Sequence, residues 1–255
     1  MKKVEKMTVV SHRPIAKNIY ECSLSGELVE LMAEPGQFVH LRVSDNTVPT
    51  LRRPISICSV DHQKNAFTMV YRVEGIGTHA LSQKRTGDQV DVLGPLGHGF
   101  PISGLKEKSH CLLTGGGIGV PPLYELAKQL TKQGHSVATV LGFRSKEDVF
   151  YEAEFSELGE TYVATEDGTL GERGFVTDVI AANRLSGDRY YACGPRPMLR
   201  AIENNMTIPG FLSLEERMGC GVGACLACVC DVKNEEGYRK VCSDGPVFKA
   251  GEVVI

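Results

Sequence analysis

Four cysteines near the C-terminus, Cys220, Cys225, Cys228 and Cys242, are spaced C-x(4)-C-x(2)-C-x(13)-C. The first three match the plant-type spacing for thiolates that hold a [2Fe-2S] cluster, a one-electron carrier. Gly219, Gly221 and Gly223 stand among them. A loop folded around an anionic cluster needs such residues, because it must turn where a Cβ would clash and aim backbone N–H groups at sulfur. A structural zinc is the competing use of the same thiolates. The usual zinc ribbon needs two C-x(2)-C knuckles, whereas this stretch has one and no histidine between Ser213 and Ile255. That absence also excludes a Rieske centre, which takes two histidine ligands. Cys230 spoils the spacing if counted as a ligand, and reads as a spare residue after Cys228.

Four further stretches could bind a nucleotide. Arg53-Pro54-Ile55-Ser56 presents a rigid guanidinium fork and, three residues on, a small hydroxyl. Gly75-Ile76-Gly77-Thr78 follows an apolar strand and opens a short helical segment, where backbone N–H groups and the Thr78 hydroxyl could meet a pyrophosphate. Taken singly, each also reads as a plain bend or turn. Gly115-Gly116-Gly117-Ile118-Gly119 lacks the G-x-G-x-x-G order of the dinucleotide fingerprint, yet its glycines would let a pyrophosphate approach the backbone at a helix start. Cys193-Gly194-Pro195-Arg196-Pro197-Met198 lies at another strand-to-helix junction. After the strand SVATVLGF, Glu147 and Asp148 could accept ribose hydroxyls and would repel a 2′-phosphate, which favours NAD over NADP.

These stretches need three kinds of scaffold. Residues 1–101 alternate in short β-type runs without a long helical period, as in a small antiparallel β-barrel. Over residues 102–210 strands such as HCLLT and SVATVLGF alternate with helical patterns, and Leu123, Leu126, Ala127 and Leu130 recur at helical spacing. That alternation predicts an α/β domain with a parallel sheet, whose ligands bind beyond the carboxyl ends of its strands. Residues 211–255 are too few for a core of their own, so metal ligation should hold this small segment in shape. The fold class is thus α+β and multidomain.

Composition agrees with a soluble protein: 42% of the 255 residues are hydrophobic and 23% charged. A net charge of −3 with scattered Lys and Arg gives no footprint for nucleic acid. No apolar run reaches membrane-spanning length and no leader peptide is recognisable, which points to the cytoplasm. Of the nine cysteines, Cys22, Cys58 and Cys111 sit among β-type residues and read as buried small hydrophobes.

The motifs, in this order, resemble those of the ferredoxin reductase family of flavoproteins. The resemblance implies an FAD held by Arg53, Pro54, Ile55 and Ser56, with Met69, Val70, Tyr71 and Arg72 along it and Gly77 and Thr78 on its pyrophosphate. Ile55 stands where many members place an aromatic ring. Cys193, Gly194 and Met198 would lie beside a nicotinamide, with Gly115, Gly116, Gly117 and Gly119 near its phosphates. Hydride transfer requires no catalytic acid or base. SLEERMGCGVGACLACVC, VCSDGPVF, RRPISI, TEDGTLGERGFVTDV and YACGPRPML are similar to the electron transfer subunits of NAD-dependent dihydroorotate dehydrogenases, over essentially the whole chain. That resemblance implies an FMN-bearing catalytic partner, a heterotetramer of two chains of each kind, and a place in pyrimidine synthesis. Electrons would run from FMN through [2Fe-2S] and FAD to NAD. A subunit of a ferredoxin:NADP or sulfide oxidoreductase shares the same plan. A zinc or redox-sensing adaptor is the alternative of another class.

Overall fold

The computed structural model describes residues 2–44, 48–233 and 236–255, so Asn234 and Glu235 of the cysteine-rich stretch lie outside it. Strands β1 (Lys3–Ala16), β2 (Ile19–Ser25), β3 (Phe38–Arg42), β4 (Arg53–Asp61) and β5 (Ala66–Arg72) precede helix α1 (Ile76–Ser82) and strand β6 (Gln89–Leu96). They close into an antiparallel barrel in the order β1-β2-β5-β4-β3-β6. Strand alternation fills its interior: Met7, Val9, Leu24, Leu41, Phe67 and Val92 point inward and are fully buried.

The next domain is built from β7 (His110–Gly116), α2 (Pro121–Lys132), β8 (Ser136–Phe143), α3 (Glu152–Ser156), β9 (Glu160–Thr165), β10 (Glu172–Arg173), α4 (Val176–Ala182), β11 (Arg189–Cys193), α5 (Arg196–Asn205) and β12 (Gly210–Ser213). Pro121 and Pro122 occupy the first turn of α2, where a missing N–H breaks no helical bond. Leu123, Leu126, Ala127 and Leu130 form its buried face.

The tail adds β13 (Val229–Asp231), β14 (Tyr238–Lys240) and β15 (Val247–Lys249). The second sheet runs β10-β9-β8-β7-β11-β12-β15. It is parallel except for β15, which pairs antiparallel with β12. The parallel sheet expected over residues 102–210 is present, and the tail adds an antiparallel edge strand to it. The antiparallel edge arises because the chain leaves β12, loops through the cysteines and returns alongside it.

The tail also shares a core with the other two domains. Cys228, Val241, Cys242 and Phe248 pack with Phe38 and Leu96 of the barrel and with Leu112 and Leu199 of the nucleotide domain. Burying a side chain such as Phe38 contributes roughly 1.5–3 kcal/mol, so sheet pairing and apolar packing hold this segment together with any metal. On the other side of the sheet, Cys58 and Val70 of the barrel join the core under α2. Cys22, Cys58 and Cys111 are fully buried.

Candidate functional site

Backbone amides surround the cysteine sulfurs. Cys220 Sγ accepts N–H bonds from Val222 (3.4 Å), Ala224 (3.3 Å) and Cys225 (3.4 Å). The Cys220 amide donates to Cys225 Sγ at 3.4 Å, Gly223 to Cys242 Sγ at 3.2 Å and Cys242 to Cys228 Sγ at 3.4 Å. Gly221 and Gly223, at φ +71° and +86°, make the turns that aim these amides. Such bonds favour the thiolate. Burial works against ionisation of Cys220, but the amides of Val222, Cys225 and Ala224 prevail and lower its pKa to about 6. Burial, together with the adjoining Cys228 thiol, pushes Cys242 up to about 12.

The sulfurs fall into two pairs, Cys220 with Cys225 and Cys228 with Cys242, linked by the Gly223 amide. Two pairs are what a binuclear cluster takes, one pair per iron, so the donor set fits [2Fe-2S] better than zinc. Cys228 and Cys242 are buried while Cys225 is exposed, which gives the site one inner and one outer side. Cys230 lies in β13 with its thiol donating to the Arg239 carbonyl at 3.7 Å, and takes no part in the amide network.

Two adjoining hollows, of about 200 and 900 Å³, open between barrel, nucleotide domain and tail and share Pro54, Glu215, Glu216 and Met218. Ile55, Ser56, Val70, Tyr71 and Arg72 line the smaller and Arg53 the larger. Gly77 supports Arg53 from below: a Cβ there would stand 2.1 Å from Arg53 Nε. These residues form a cradle with a cationic fork and apolar walls, which fits an FAD.

Of the expected flavin contacts Val70, Tyr71 and Arg72 line the cleft, while Met69 and the Thr78 hydroxyl are placed differently. Met69 is fully buried inside the barrel. Met69 and Val70 are successive strand residues and so face opposite ways. Tyr71 borders the cleft, but its hydroxyl bonds His12 Nε2 at 2.8 Å and its ring stacks on Tyr20. The Thr78 hydroxyl is engaged in its own turn, donating to the Gly75 carbonyl and accepting from the amides of Glu74 and Gly75.

A third cleft, of about 510 Å³, lies at the carboxyl edge of the sheet and is lined by Gly116, Gly117, Arg144, Asp148, Thr177 and Met198, among others. A Cβ on Gly116 would meet Met198 Sδ at 2.4 Å, and Gly117 sits at φ +52°. This glycine-walled strand end fits a dinucleotide. Gly115 and Gly119 are absent from the lining. They serve packing instead, since a Cβ on Gly119 would strike the Cys193 carbonyl at 2.4 Å. Cys193 is itself buried, which pushes its thiol pKa up, and Gly194 rather than Cys193 reaches a cleft. Glu147 is held by Lys17 of the barrel, with Nζ to Oε2 at 2.9 Å, and of the two neighbours it is Asp148 that lines the cleft, together with Glu166.

Spacing within the sequence could not reveal Phe38, Ile118, Ser213, Glu215, Met218 and Pro246, which complete the flavin cleft from four separate segments. Arg72 lines both the flavin and the nucleotide clefts. Met218 lines the flavin cleft only two residues before Cys220.

Three family models match consecutive parts of the chain: an oxidoreductase FAD-binding domain over residues 2–100, an oxidoreductase NAD-binding domain over 113–204, and the iron-sulfur cluster binding domain of dihydroorotate dehydrogenase B over 215–254. The electron transfer subunit of dihydroorotate dehydrogenase B (NAD(+)) from Geobacillus sp. (strain WCH70) is 62% identical over 257 residues, covering 100% of both chains. The corresponding subunit of Bacillus mycoides (strain KBAB4) is 56% identical, again over 100% of both. Among solved structures, an NADH-dependent reduced ferredoxin-NADP oxidoreductase studied for flavin-based electron bifurcation aligns at TM-score 0.86 and 32% identity, over 98% of this chain and 90% of that one. The Amycolatopsis cytochrome P450 reductase GcoB, at 24% identity and TM-score 0.68 over 78% and 64% of the two chains, shares the fold. Full-length identity of this order, with a cluster-binding domain of the same description, places the chain in the family of electron transfer subunits of NAD(+)-dependent dihydroorotate dehydrogenase B.

Proposed function

We propose that this chain carries electrons from a dihydroorotate-oxidising partner to NAD, as a subunit of the pyrimidine-synthesising dehydrogenase. The observation that carries this reading is the convergence of the three sites: Arg72 lies on both nucleotide clefts, and the Glu215–Met218 stretch runs from the flavin cleft into the cluster loop. When bound, the nicotinamide exchanges a hydride, the flavin one or two electrons and the cluster one.

The residues of the chain bind and orient. Arg53 and Ser56, with Gly77 beneath Arg53, hold the flavin nucleotide. Gly116, Gly117 and Met198 hold the nicotinamide nucleotide, and Asp148 selects NAD by accepting ribose hydroxyls and repelling a 2′-phosphate. Cys220, Cys225, Cys228 and Cys242 ligate the irons. Because transfer needs only proximity, no side chain of this chain acts as acid or base. The chain divides at residues 1–101, 102–210 and 211–255. The partner bears FMN, and the assembly holds two chains of each kind. Among the described residues no helix is long and apolar enough to cross a membrane, and thiolate-held clusters suit a reducing cytoplasm.

The native complex, purified anaerobically, tests this directly. Dihydroorotate should reduce cluster and flavin, and added NAD should then be reduced in equal amount to the dihydroorotate consumed. The likeness to the ferredoxin-NADP oxidoreductase favours a second reading. In that case dihydroorotate would leave the spectra unchanged, and the chain would copurify with a larger iron-sulfur flavoprotein.

A further inference from the structure

His40 of β3 is fully buried, and among the described residues neither ring nitrogen has a hydrogen-bond partner of normal geometry. Strand alternation turns its neighbours Val39 and Leu41 into the barrel, so His40 and Phe38 point outward. What covers the outer face is the cysteine loop. Gly221, at φ +71°, packs so closely on the imidazole that a Cβ would come within 2.6 Å of Nδ1. The Cys220 and Arg52 backbones face the ring as well, and burial keeps it neutral despite them. The strand behind is firmly held: the His40 carbonyl accepts from Arg52 Nη1 at 3.1 Å, and Arg52 pairs with Asp91 at 2.7 Å. An apolar residue would fill this position without leaving polar atoms unpaired, so the imidazole is an expensive choice for packing alone.

We propose that His40 is a positioning residue for the cluster loop, fixing the Cys220–Gly221 backbone from the barrel side and thereby the amides aimed at Cys220 Sγ. The inference rests on the [2Fe-2S] reading above. Hydrogen bonds to the sulfurs are among the determinants of a cluster's reduction potential, and groups behind the ligands orient them. The amides of Val222, Ala224 and Cys225 lie one to four residues beyond Gly221, so a displaced Gly221 displaces all three. The barrel that holds the flavin thus also sets the electronic surroundings of the neighbouring carrier.

The test uses the complete complex with His40→Leu and His40→Gln, reading iron and FAD per chain, the electron paramagnetic resonance spectrum of the reduced cluster and its midpoint potential. His40→Leu should retain iron and FAD while shifting both the g values and the potential. His40→Gln, which returns a polar side chain facing the Cys220–Gly221 backbone, should lie between Leu and wild type. Gly221→Ala, pressing on the ring from the opposite side, should disturb the same two signals. A wild-type potential and spectrum in His40→Leu would overturn the proposal. So would loss of FAD together with iron in both His40 variants, since that marks a general support of the fold. Wild-type complex free of iron would instead remove the cluster reading on which the proposal stands.

Discussion

Arg53 lies directly over Gly77: a Cβ on the glycine would come within 2.1 Å of the arginine Nε and 2.6 Å of Cζ. The obstructing atoms belong to the mobile end of a side chain, so the fold can accept a methyl group by moving the guanidinium. Gly77→Ala should therefore leave thermal stability nearly unchanged while weakening FAD binding about tenfold, the equivalent of ~1.4 kcal/mol. Flavin titration beside a thermal melt separates the two effects.

Cys225→Ser should remove the cluster and uncouple the partner from NAD, while NADH still reduces the flavin at close to the wild-type rate. Cys230→Ser should keep its visible spectrum and acid-labile sulfide, because the Cys230 thiol faces the Arg239 carbonyl in β13. Iron and sulfide assays with stopped-flow flavin reduction check both. A Cys230→Ser protein without iron would force a different choice of four ligands.

Asp148 and Glu147 are adjacent but should behave differently towards nucleotides. Asp148 lines the cleft and pairs with Arg144 at 3.5 Å. Asp148→Asn removes the charge that opposes a 2′-phosphate and leaves Arg144 free to bind one. The ratio of kcat/KM for NADP to that for NAD should rise about tenfold or more. Glu147→Gln should leave that ratio as it is, since Glu147 is engaged with Lys17.

Glu125 joins the barrel to the nucleotide domain. It is buried on α2, accepts the Val60 amide at 3.0 Å and bonds Lys128 at 3.0 Å and Gln129 at 3.1 Å. Glu125→Ala leaves the half-buried Val60 amide unpaired and takes the carboxylate partner from Lys128. Urea unfolding should show a loss of about 3 kcal/mol, and a change below a tenth of that would mean the bonds are formed equally well with water.

The sequence was most legible where function is local. The cysteine spacing and the glycines among the cysteines lie within one loop, and the structure draws those same sulfurs into pairs. Alternating strands and the helical period of α2 likewise depend on near neighbours. Reading failed where period or distance intervenes. Met69 points into the barrel while its strand neighbours Val70 and Tyr71 line the cleft, a difference of facing that the motif alone does not show. Glu147 looked free for ribose, yet its partner Lys17 lies 130 residues away in the chain. His40 gave no motif at all. Its role follows from an outward strand position meeting a glycine loop some 180 residues later, a juxtaposition that only the closed tertiary structure creates.

The antiparallel pairing of β15 with β12 gives the cysteine loop the form of a handle with both feet fixed to one plank. A chain cut before Val247 would keep every thiol yet lose the strand under the second foot, leaving that end held only by the bonds at Gly245 and Pro246 and by the packing of Val241 and Cys242. The iron-sulfur station would then swing relative to its neighbours, and the gap that an electron must cross would vary with each thermal excursion. The final few residues, remote from any ligand in sequence, thus act as a brace on distance, which is the quantity tunnelling feels most steeply.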